Sequence, residues 1–202
     1  MKIAPPSRGA HRAPREGKMI LKLFFKIYKL PTQGRQDFKP LNLWDGSVMK
    51  KEIITNSPDE TKLFAQKFAD QLKPGAILAL TGNLGSGKTC FAKGIIEELT
   101  GTKENFQGSP TFALIQEYKA LQDASGTVVR VYHFDFYRVK NAVELFQIGW
   151  QEYISDETGV CIIEWADLFP EILPAETKWI KFISEGNDKR RIVIRERAED
   201  GK

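Results

Sequence analysis

The sequence lacks any apolar run long enough to cross a membrane. A membrane-spanning helix needs about 20 mainly apolar residues, and the nearest candidate, residues 20–30, is interrupted by Lys22, Lys26 and Lys29. Of the 202 residues, 42% are hydrophobic, which is enough to build a core. We therefore expect a soluble protein with one folded domain and an appendage, and no association with a membrane.

Cysteine and histidine are also scarce. Cys90 and Cys161 form neither a C-x-x-C pair nor a disulfide framework. This usage indicates a reducing compartment, and we expect the protein to be cytoplasmic. The two histidines, His11 and His133, are too few for a histidine-rich zinc site.

Acidic residues are rare in the first quarter of the chain. Residues 1–50 contain 11 Lys/Arg and 3 Asp/Glu, so their net charge is +8, whereas the remainder has 19 and 23 and a net charge of −4. We predict a basic, disordered extension over residues 1–48, which hold five prolines, and a folded domain over residues 49–202. Three origins of the extension stay open: a nucleic-acid-binding arm, a transit peptide, or upstream sequence translated from a misassigned start codon. The low serine content and the position of Met49 before the folded part favour the last.

One motif dominates the folded part. Residues 82–89 read G-N-L-G-S-G-K-T and satisfy every position of the phosphate-binding loop pattern G-x-x-x-x-G-K-[S/T]. The apolar run at 76–81 reads as a buried strand, and residues 90–99 have apolar residues at helical spacing. Strand, loop and helix in this order predict a nucleoside triphosphate site, because glycine-rich backbone and a helix N-terminus together favour an anion. The predicted nucleotide-binding residues of the loop are Gly82, Asn83, Leu84, Gly85, Ser86, Gly87, Lys88 and Thr89.

Other residues are predicted to complete this site. In such loops the lysine, here Lys88, contacts the β- and γ-phosphates, and the hydroxyl of Thr89 becomes a ligand of Mg²⁺. Magnesium also needs carboxylate or water-mediated support, and two largely apolar strands end in an acid, at Asp135 and at Glu164.

The segment S-P-T-F at residues 109–112 follows the helix by a short loop. Its hydroxyls, on Ser109 and Thr111, stand on a proline-stiffened turn and form a candidate switch that senses the γ-phosphate. For His133 we expect a structural hydrogen bond rather than general-base work.

The pattern of elements predicts an α/β fold. A helix is expected to begin after Ser57 as N-cap, with Pro58 and Glu60 in its first turn. Strands are expected at 111–118, 128–135, 160–164, 179–184 and 191–195, a helix at 142–153, and a hairpin turn at 123–126. This order indicates a three-layer P-loop NTPase fold with a mixed, mostly parallel sheet carrying antiparallel strands. The nucleotide would bind at the carboxyl ends of the strands.

The motifs together resemble one family. The motifs are the phosphate loop at 82–89, S-P-T-F at 109–112, H-F-D-F-Y-R at 133–138, I-G-W-Q-E-Y at 148–153 and I-I-E-W at 162–165. In this order and spacing they closely resemble the TsaE family, formerly called YjeE, over residues 53–185. The family pattern does not include the first 48 residues.

The resemblance implies a small ATPase that hydrolyses ATP to ADP and phosphate with Mg²⁺. It also implies that the ATPase acts with the partner proteins TsaB and TsaD in the formation of threonylcarbamoyladenosine at adenosine 37 of tRNA. Contact with the tRNA would then be indirect, through the complex. By the same resemblance Thr89 and Glu164 would ligate the metal, and Asp135 would act on the attacking water or in the metal shell. Residues 109–112 would be the switch-like loop, and residues 55–57 would lie near the adenine.

Other functions remain as alternatives at this point. A GTPase-like switch shares the loop but normally carries N-K-x-D or T-K-x-D, and neither occurs in the sequence. A P-loop kinase for a small molecule would usually need an arginine-rich lid, for which the sequence offers no convincing segment. A nucleic-acid-binding module would depend on the basic extension, and deletion of residues 1–48 would abolish its binding.

Overall fold

A computed structural model of the chain describes residues 48–101, 106–122 and 128–197. The predicted extension over residues 1–48 lies outside this part except for its last residue, and the predicted hairpin turn at 123–126 lies outside it as well. In these three ranges no helix is both long and apolar enough for a membrane crossing.

Strands and helices alternate along the described residues. The strands are β1 (Val48–Thr55), β2 (Ile77–Thr81), β3 (Ile115–Gln122), β4 (Val128–Asp135), β5 (Gly159–Glu164), β6 (Lys178–Ser184) and β7 (Arg190–Arg197). The helices are α1 (Pro58–Ala69), α2 (Lys88–Thr100), α3 (Ala142–Gln147) and α4 (Trp150–Ile154), with two 3₁₀ turns at Ala166–Leu168 and Pro170–Ile172.

The described strands form one mixed sheet in the order β1-β7-β6-β2-β5-β4-β3. The central strands β6, β2, β5 and β4 pair in parallel. The outer pairs β1–β7, β6–β7 and β3–β4 are antiparallel. Because only β7 and β3 run against the others, five of the seven described strands point the same way. The predicted α/β fold with a mixed, mostly parallel sheet is confirmed.

Two separate cores cover the two faces of the sheet. Side chains alternate along each strand, so Leu78 and Leu80 pack against α1 and α2, whereas Ile77 and Ala79 pack with α3, α4 and the 3₁₀ turns. The fully buried strand β5 contributes Ile162 to the first core and Ile163 to the second. This arrangement gives the three layers that the sequence predicted.

Helix α1 begins as the sequence indicates. The Ser57 hydroxyl accepts a hydrogen bond from the Glu60 backbone N–H at 3.0 Å, and the Glu60 carboxylate accepts one from the Asn56 N–H at 2.7 Å. The first bond caps the helix, whose first residue is Pro58. The second bond differs from that of a standard capping box, because it uses the N–H of Asn56 instead of that of the N-cap residue Ser57.

Two segments differ from their sequence-based predictions. The single helix expected at 142–153 is divided into α3 and α4, because Gly149 adopts a left-handed backbone with φ of 81° between them. The strand expected from Thr111 begins instead at Ile115, since residues 111–114 form a turn in which Leu114 has φ of 68°. This turn keeps the S-P-T-F segment out of the sheet and beside the strand ends.

Candidate nucleotide site

The loop at residues 82–89 joins β2 to α2 through backbone geometry that favours glycine. Gly82 has φ of 135°, and a Cβ atom there would lie 2.4 Å from the carbonyl oxygen of Phe182. Gly87 is the N-cap of α2 with φ of 107°, and Gly85 has φ of 73°. Left-handed values such as these suit glycine, so the loop can wrap closely around the N-terminus of α2.

The side chain of Lys88 lies inside this loop. Its Nζ atom donates hydrogen bonds to the carbonyl oxygens of Gly82 at 2.7 Å and Asn83 at 3.1 Å. It also lies 3.8 Å from the centroid of the Trp165 ring. Burial lowers the pKa of Lys88 below its usual value, and the negative charges of Glu164, Asp167 and Asp135 oppose that change. The lysine is thus a desolvated cation that acidic groups surround.

A chain of hydrogen bonds runs from α2 through β5 to β4. The Thr89 hydroxyl donates to Oε2 of Glu164 at 2.7 Å. The other carboxylate oxygen, Oε1, lies 3.0 Å from Nε2 of His133. The carboxylate is 2% exposed and the imidazole 0%. The structure therefore brings together two of the three residues that the sequence singled out for the metal, Thr89 and Glu164. The third, Asp135, lies beside Glu164 on the neighbouring strand.

Asp135 ends β4 beside Glu164, its partner in the parallel register. Its Oδ2 atom accepts hydrogen bonds from the hydroxyls of Ser109 and of Thr111, the latter at 2.7 Å. Its Oδ1 atom accepts the backbone N–H of Tyr137 at 2.9 Å. The candidate switch segment is thus attached directly to the acid at the end of the strand.

These groups open into a common pocket with a volume of about 370 Å³. Most of the predicted site residues line it, the exceptions being Gly82 and Asn83, which contribute the carbonyl oxygens that bind Lys88. The lining consists of Pro58, Leu84, Gly85, Ser86, Gly87, Lys88, Thr89, Cys90, Ser109, Thr111, Asp135, Tyr137, Glu164, Trp165 and Arg190. The pocket lies at the carboxyl ends of β2, β4 and β5, as the fold predicts.

Arg190 is a buried cation of this pocket that was not predicted from the sequence. Its Nη1 atom donates to the Thr61 hydroxyl at 2.9 Å, and that hydroxyl lies 2.8 Å from the hydroxyl of Thr55. Within the described ranges no carboxylate pairs with this guanidinium, whose Cδ atom would be 3.0 Å from a Cβ at Gly87. The pocket therefore offers a second cation, and no local sequence signal marks it, since Arg190 opens a strand 129 positions after Thr61.

The segment 55–57 lies at one side of the pocket. Ser57 caps α1, Thr55 bonds to Thr61, and the next residue, Pro58, lines the pocket itself. The expectation that this segment lies near an adenine is compatible with that location and stays a prediction.

The pocket contains oxygen ligands of the chemical type that Mg²⁺ prefers. Thr89 and Glu164 present hydroxyl and carboxylate oxygens 2.7 Å apart, and hard oxygen ligands are those that Mg²⁺ takes. In the part of the chain that the structure describes, no group of three or more His, Cys, Asp or Glu side chains could hold a metal. Such a small protein contribution is typical of sites in which phosphates and waters supply the remaining ligands.

Large apolar side chains are exposed at or next to residues that line the pocket. Leu84 is 79% exposed, Phe112 83% and Tyr137 51%. The Arg138 guanidinium lies 4.1 Å from the centroid of the Phe112 ring. Exposed apolar surface can mark a contact site, and these side chains lie on the loop, the switch segment and the exit of β4.

Comparison with known proteins agrees with the motifs. The sequence model of the family described as "Threonylcarbamoyl adenosine biosynthesis protein TsaE" matches residues 55–192. The tRNA threonylcarbamoyladenosine biosynthesis protein TsaE of Bacillus subtilis is 41% identical over 140 residues, which cover 69% of this chain and 82% of the relative. The protein of the same name from Rickettsia bellii is 36% identical over 143 residues, covering 71% and 93%.

A solved structure is similar as well. The crystal structure of YdiB from Bacillus subtilis matches with a TM-score of 0.58 and 36% identity, covering 74% of this chain and 87% of that one. Sequence, fold and comparison thus agree, and the chain belongs to the TsaE family.

Proposed function

We propose that this chain is a magnesium-dependent ATPase that hydrolyses ATP to ADP and phosphate and supports the formation of threonylcarbamoyladenosine at adenosine 37 of tRNA. The observation that carries the proposal is the convergence of Lys88, Thr89, Glu164 and Asp135 on one pocket. The relatives named as threonylcarbamoyladenosine biosynthesis proteins support the pathway.

Binding of the triphosphate would use the phosphate loop together with two cationic side chains of the pocket, Lys88 and Arg190. The N–H groups at the N-terminus of α2 and the Lys88 ammonium face the same small volume, where an anion is favoured. Arg190 lies on the side of Gly87 and can neutralise further negative charge. Bound Mg²⁺ would supply electrostatic stabilisation of the transferring phosphoryl group. Thr89 and Glu164 would hold it through the oxygens that now face each other.

Asp135 is our candidate for orienting the attacking water. Its oxygens accept three hydrogen bonds, two from Ser109 and Thr111 and one from the Tyr137 N–H. Before Oδ2 can accept a hydrogen bond from water in their place, at least one hydroxyl must turn away. We infer that movement of the switch segment controls hydrolysis, and we therefore expect the chain alone to hydrolyse ATP weakly.

The expected partners TsaB and TsaD come from the family resemblance. The exposed apolar side chains of Leu84, Phe112 and Tyr137 support a protein partner beside the pocket, because a partner that covers Phe112 would contact the switch segment directly. Contact with tRNA would be indirect, through that complex, and the place of work would be the cytoplasm.

The test is ATP hydrolysis by the full chain, measured alone and with a TsaB–TsaD pair. We expect stimulation by the pair, preference for ATP over GTP, and loss of activity in Lys88→Ala. Lys181→Ala is the matched control, because Lys181 is an exposed lysine of β6 that does not line the pocket. Preference for GTP would favour a GTPase-like switch, and transfer of phosphate to a small acceptor would favour a kinase.

A further inference from the structure

His133 is a wholly buried imidazole that the proposed reaction does not use. It lies on β4, where its register partner on β5 is Ile162, two residues before Glu164. Its ring is 0% exposed and stacks on the Phe106 ring with 6.0 Å between centroids and 26° between planes. Tight packing of this kind holds the orientation of the imidazole.

The polarity of its contact with Glu164 follows from the chemistry of the carboxylate. An ionised carboxylate only accepts hydrogen bonds, so Nε2 of His133 must carry the hydrogen that points to Oε1, 3.0 Å away. The second oxygen, Oε2, accepts the Thr89 hydroxyl at 2.7 Å. Both carboxylate oxygens of Glu164 therefore have a hydrogen-bond donor: His133 for Oε1 and Thr89, which lines the pocket, for Oε2.

The remaining ring nitrogen argues against a purely packing role. Nδ1 of His133 is buried and has no hydrogen-bond partner among the described residues. Leaving a buried polar atom unpaired opposes folding, and an apolar side chain would fill the same space without that penalty. The imidazole therefore brings one useful feature to this position, which is the donor that faces Glu164.

We propose that His133 is a positioning residue of the nucleotide site: it holds Glu164 by Oε1, so that Oε2 stays beside the Thr89 hydroxyl where a divalent cation would be bound. This inference rests on the proposed function. Groups behind a metal ligand fix its orientation, and their loss typically weakens metal affinity about 10- to 100-fold. Without the imidazole, the carboxylate can rotate away from Thr89 towards other donors of the pocket.

The experiment measures binding rather than turnover. The affinity of the full chain for a non-hydrolysable ATP analogue is determined by calorimetry in Mg²⁺ and in EDTA, and Mg²⁺ is titrated onto the complex with the analogue. His133→Leu removes the donor and keeps an apolar bulk. His133→Gln restores a side-chain N–H donor at about the same distance from the backbone as Nε2 of the histidine. Tyr132→Phe is the matched control, because it removes from the neighbouring residue a hydroxyl that donates to Asp156 at 2.7 Å, outside the pocket.

We expect His133→Leu to weaken Mg²⁺ affinity at least about 10-fold while affinity in EDTA stays unchanged. His133→Gln should recover part of the loss, and Tyr132→Phe should behave as wild type. In a Glu164→Ala background, His133→Leu should have no further effect, because the residue acts through that carboxylate. A merely structural role would lower affinity equally in Mg²⁺ and in EDTA.

Three results would overturn the inference. They are unchanged Mg²⁺ affinity in His133→Leu, an equal loss in EDTA, or a full additional loss in the Glu164→Ala background. If His133→Leu does not fold, His133→Asn, whose amide is too short to reach Glu164, is compared with His133→Gln, and an equal response of the two overturns the inference. Wild-type protein that binds the analogue without any effect of Mg²⁺ would instead reject the proposed function, and this inference with it.

Discussion

The ammonium of Lys88 lies 3.8 Å from the centroid of the Trp165 ring and donates to two carbonyl oxygens of its own loop. Trp165 has a left-handed backbone with φ of 57°, which is uncommon for an aromatic residue. It follows Glu164 directly, so the sharp turn after β5 places the indole against the Lys88 ammonium, while the charge of the neighbouring Glu164 carboxylate raises the pKa of that lysine against the effect of burial. A phosphate that binds Lys88 must compete with both the carbonyl and the indole contacts.

This competition makes Trp165 a reporter of nucleotide binding. We expect ATP to change the tryptophan emission of the chain, because the ammonium leaves the face of the indole. Trp165→Phe should abolish the change. Trp179→Phe on β6 is the control and should retain it, since Trp179 does not line the pocket. A change that survives in Trp165→Phe and disappears in Trp179→Phe would contradict the assignment.

Asp135 should affect turnover far more than binding. Asp135→Asn keeps an acceptor oxygen for the switch hydroxyls but cannot take a proton or hold a negative charge near water. We expect nucleotide affinity to change little and partner-stimulated hydrolysis to fall about 100-fold or more. Asp167→Asn serves as control, because Asp167 is exposed and only its charge reaches Lys88. A loss of affinity that accounts for the whole decrease in activity would remove Asp135 from the chemical step.

The parts of the site that could be predicted from the sequence are those with a local signal. The phosphate loop is a continuous motif, and Asp135 and Glu164 each end a continuous apolar strand. Parallel pairing then brings the two acids side by side, as register partners. The loop motif, the acids at the strand ends and the parallel pairing of the strands are together enough to predict the residues on the metal side of the pocket.

The rest depends on contacts between distant segments. Arg190 reaches the pocket because β7 returns beside β6 and points the side chain at Thr61 in α1. The position of Trp165 depends on its left-handed backbone, which neither residue type nor periodicity indicates. The division of the helix at 142–153 by Gly149 is different, since a glycine within a helical pattern is a visible signal of a break.

Gly94 should be intolerant of a side chain even though it lies inside a helix. A Cβ atom there would lie 2.6 Å from Cβ of Ala65 and 2.7 Å from the carbonyl oxygen of Lys62, where α1 crosses α2. The gain in helix propensity from Gly94→Ala is about 1 kcal/mol, and overpacking of a core contact costs about 1–3 kcal/mol. We expect net destabilisation, together with weaker nucleotide binding, because α2 begins at the phosphate loop.

Urea unfolding measures this effect on stability. Glu98→Ala is the control, since Glu98 is an exposed residue of the same helix and should change stability by only a few tenths of a kcal/mol. A more stable Gly94→Ala variant would show that α1 and α2 can separate without loss.

Cys161 should make stability depend on alkaline pH. Burial raises the pKa of this thiol from 9.0 to about 12, so the folded protein keeps the proton at pH 10 whereas the unfolded chain releases it. The unfolded state therefore gains stability as pH rises, and the free energy of unfolding falls by up to about 1.4 kcal/mol per pH unit between pH 9 and 12. We expect Cys161→Ala to be less stable at pH 7, because a core sulfur is lost, but its free energy of unfolding should decline less steeply above pH 9.

The measurement is urea unfolding under reducing conditions from pH 7 to 11. Tyr132, whose pKa burial also raises to about 12, is retained in both proteins. Since the remaining groups titrate alike in the two, a difference in slope belongs to Cys161, and parallel curves would show that the thiol ionises within the folded chain.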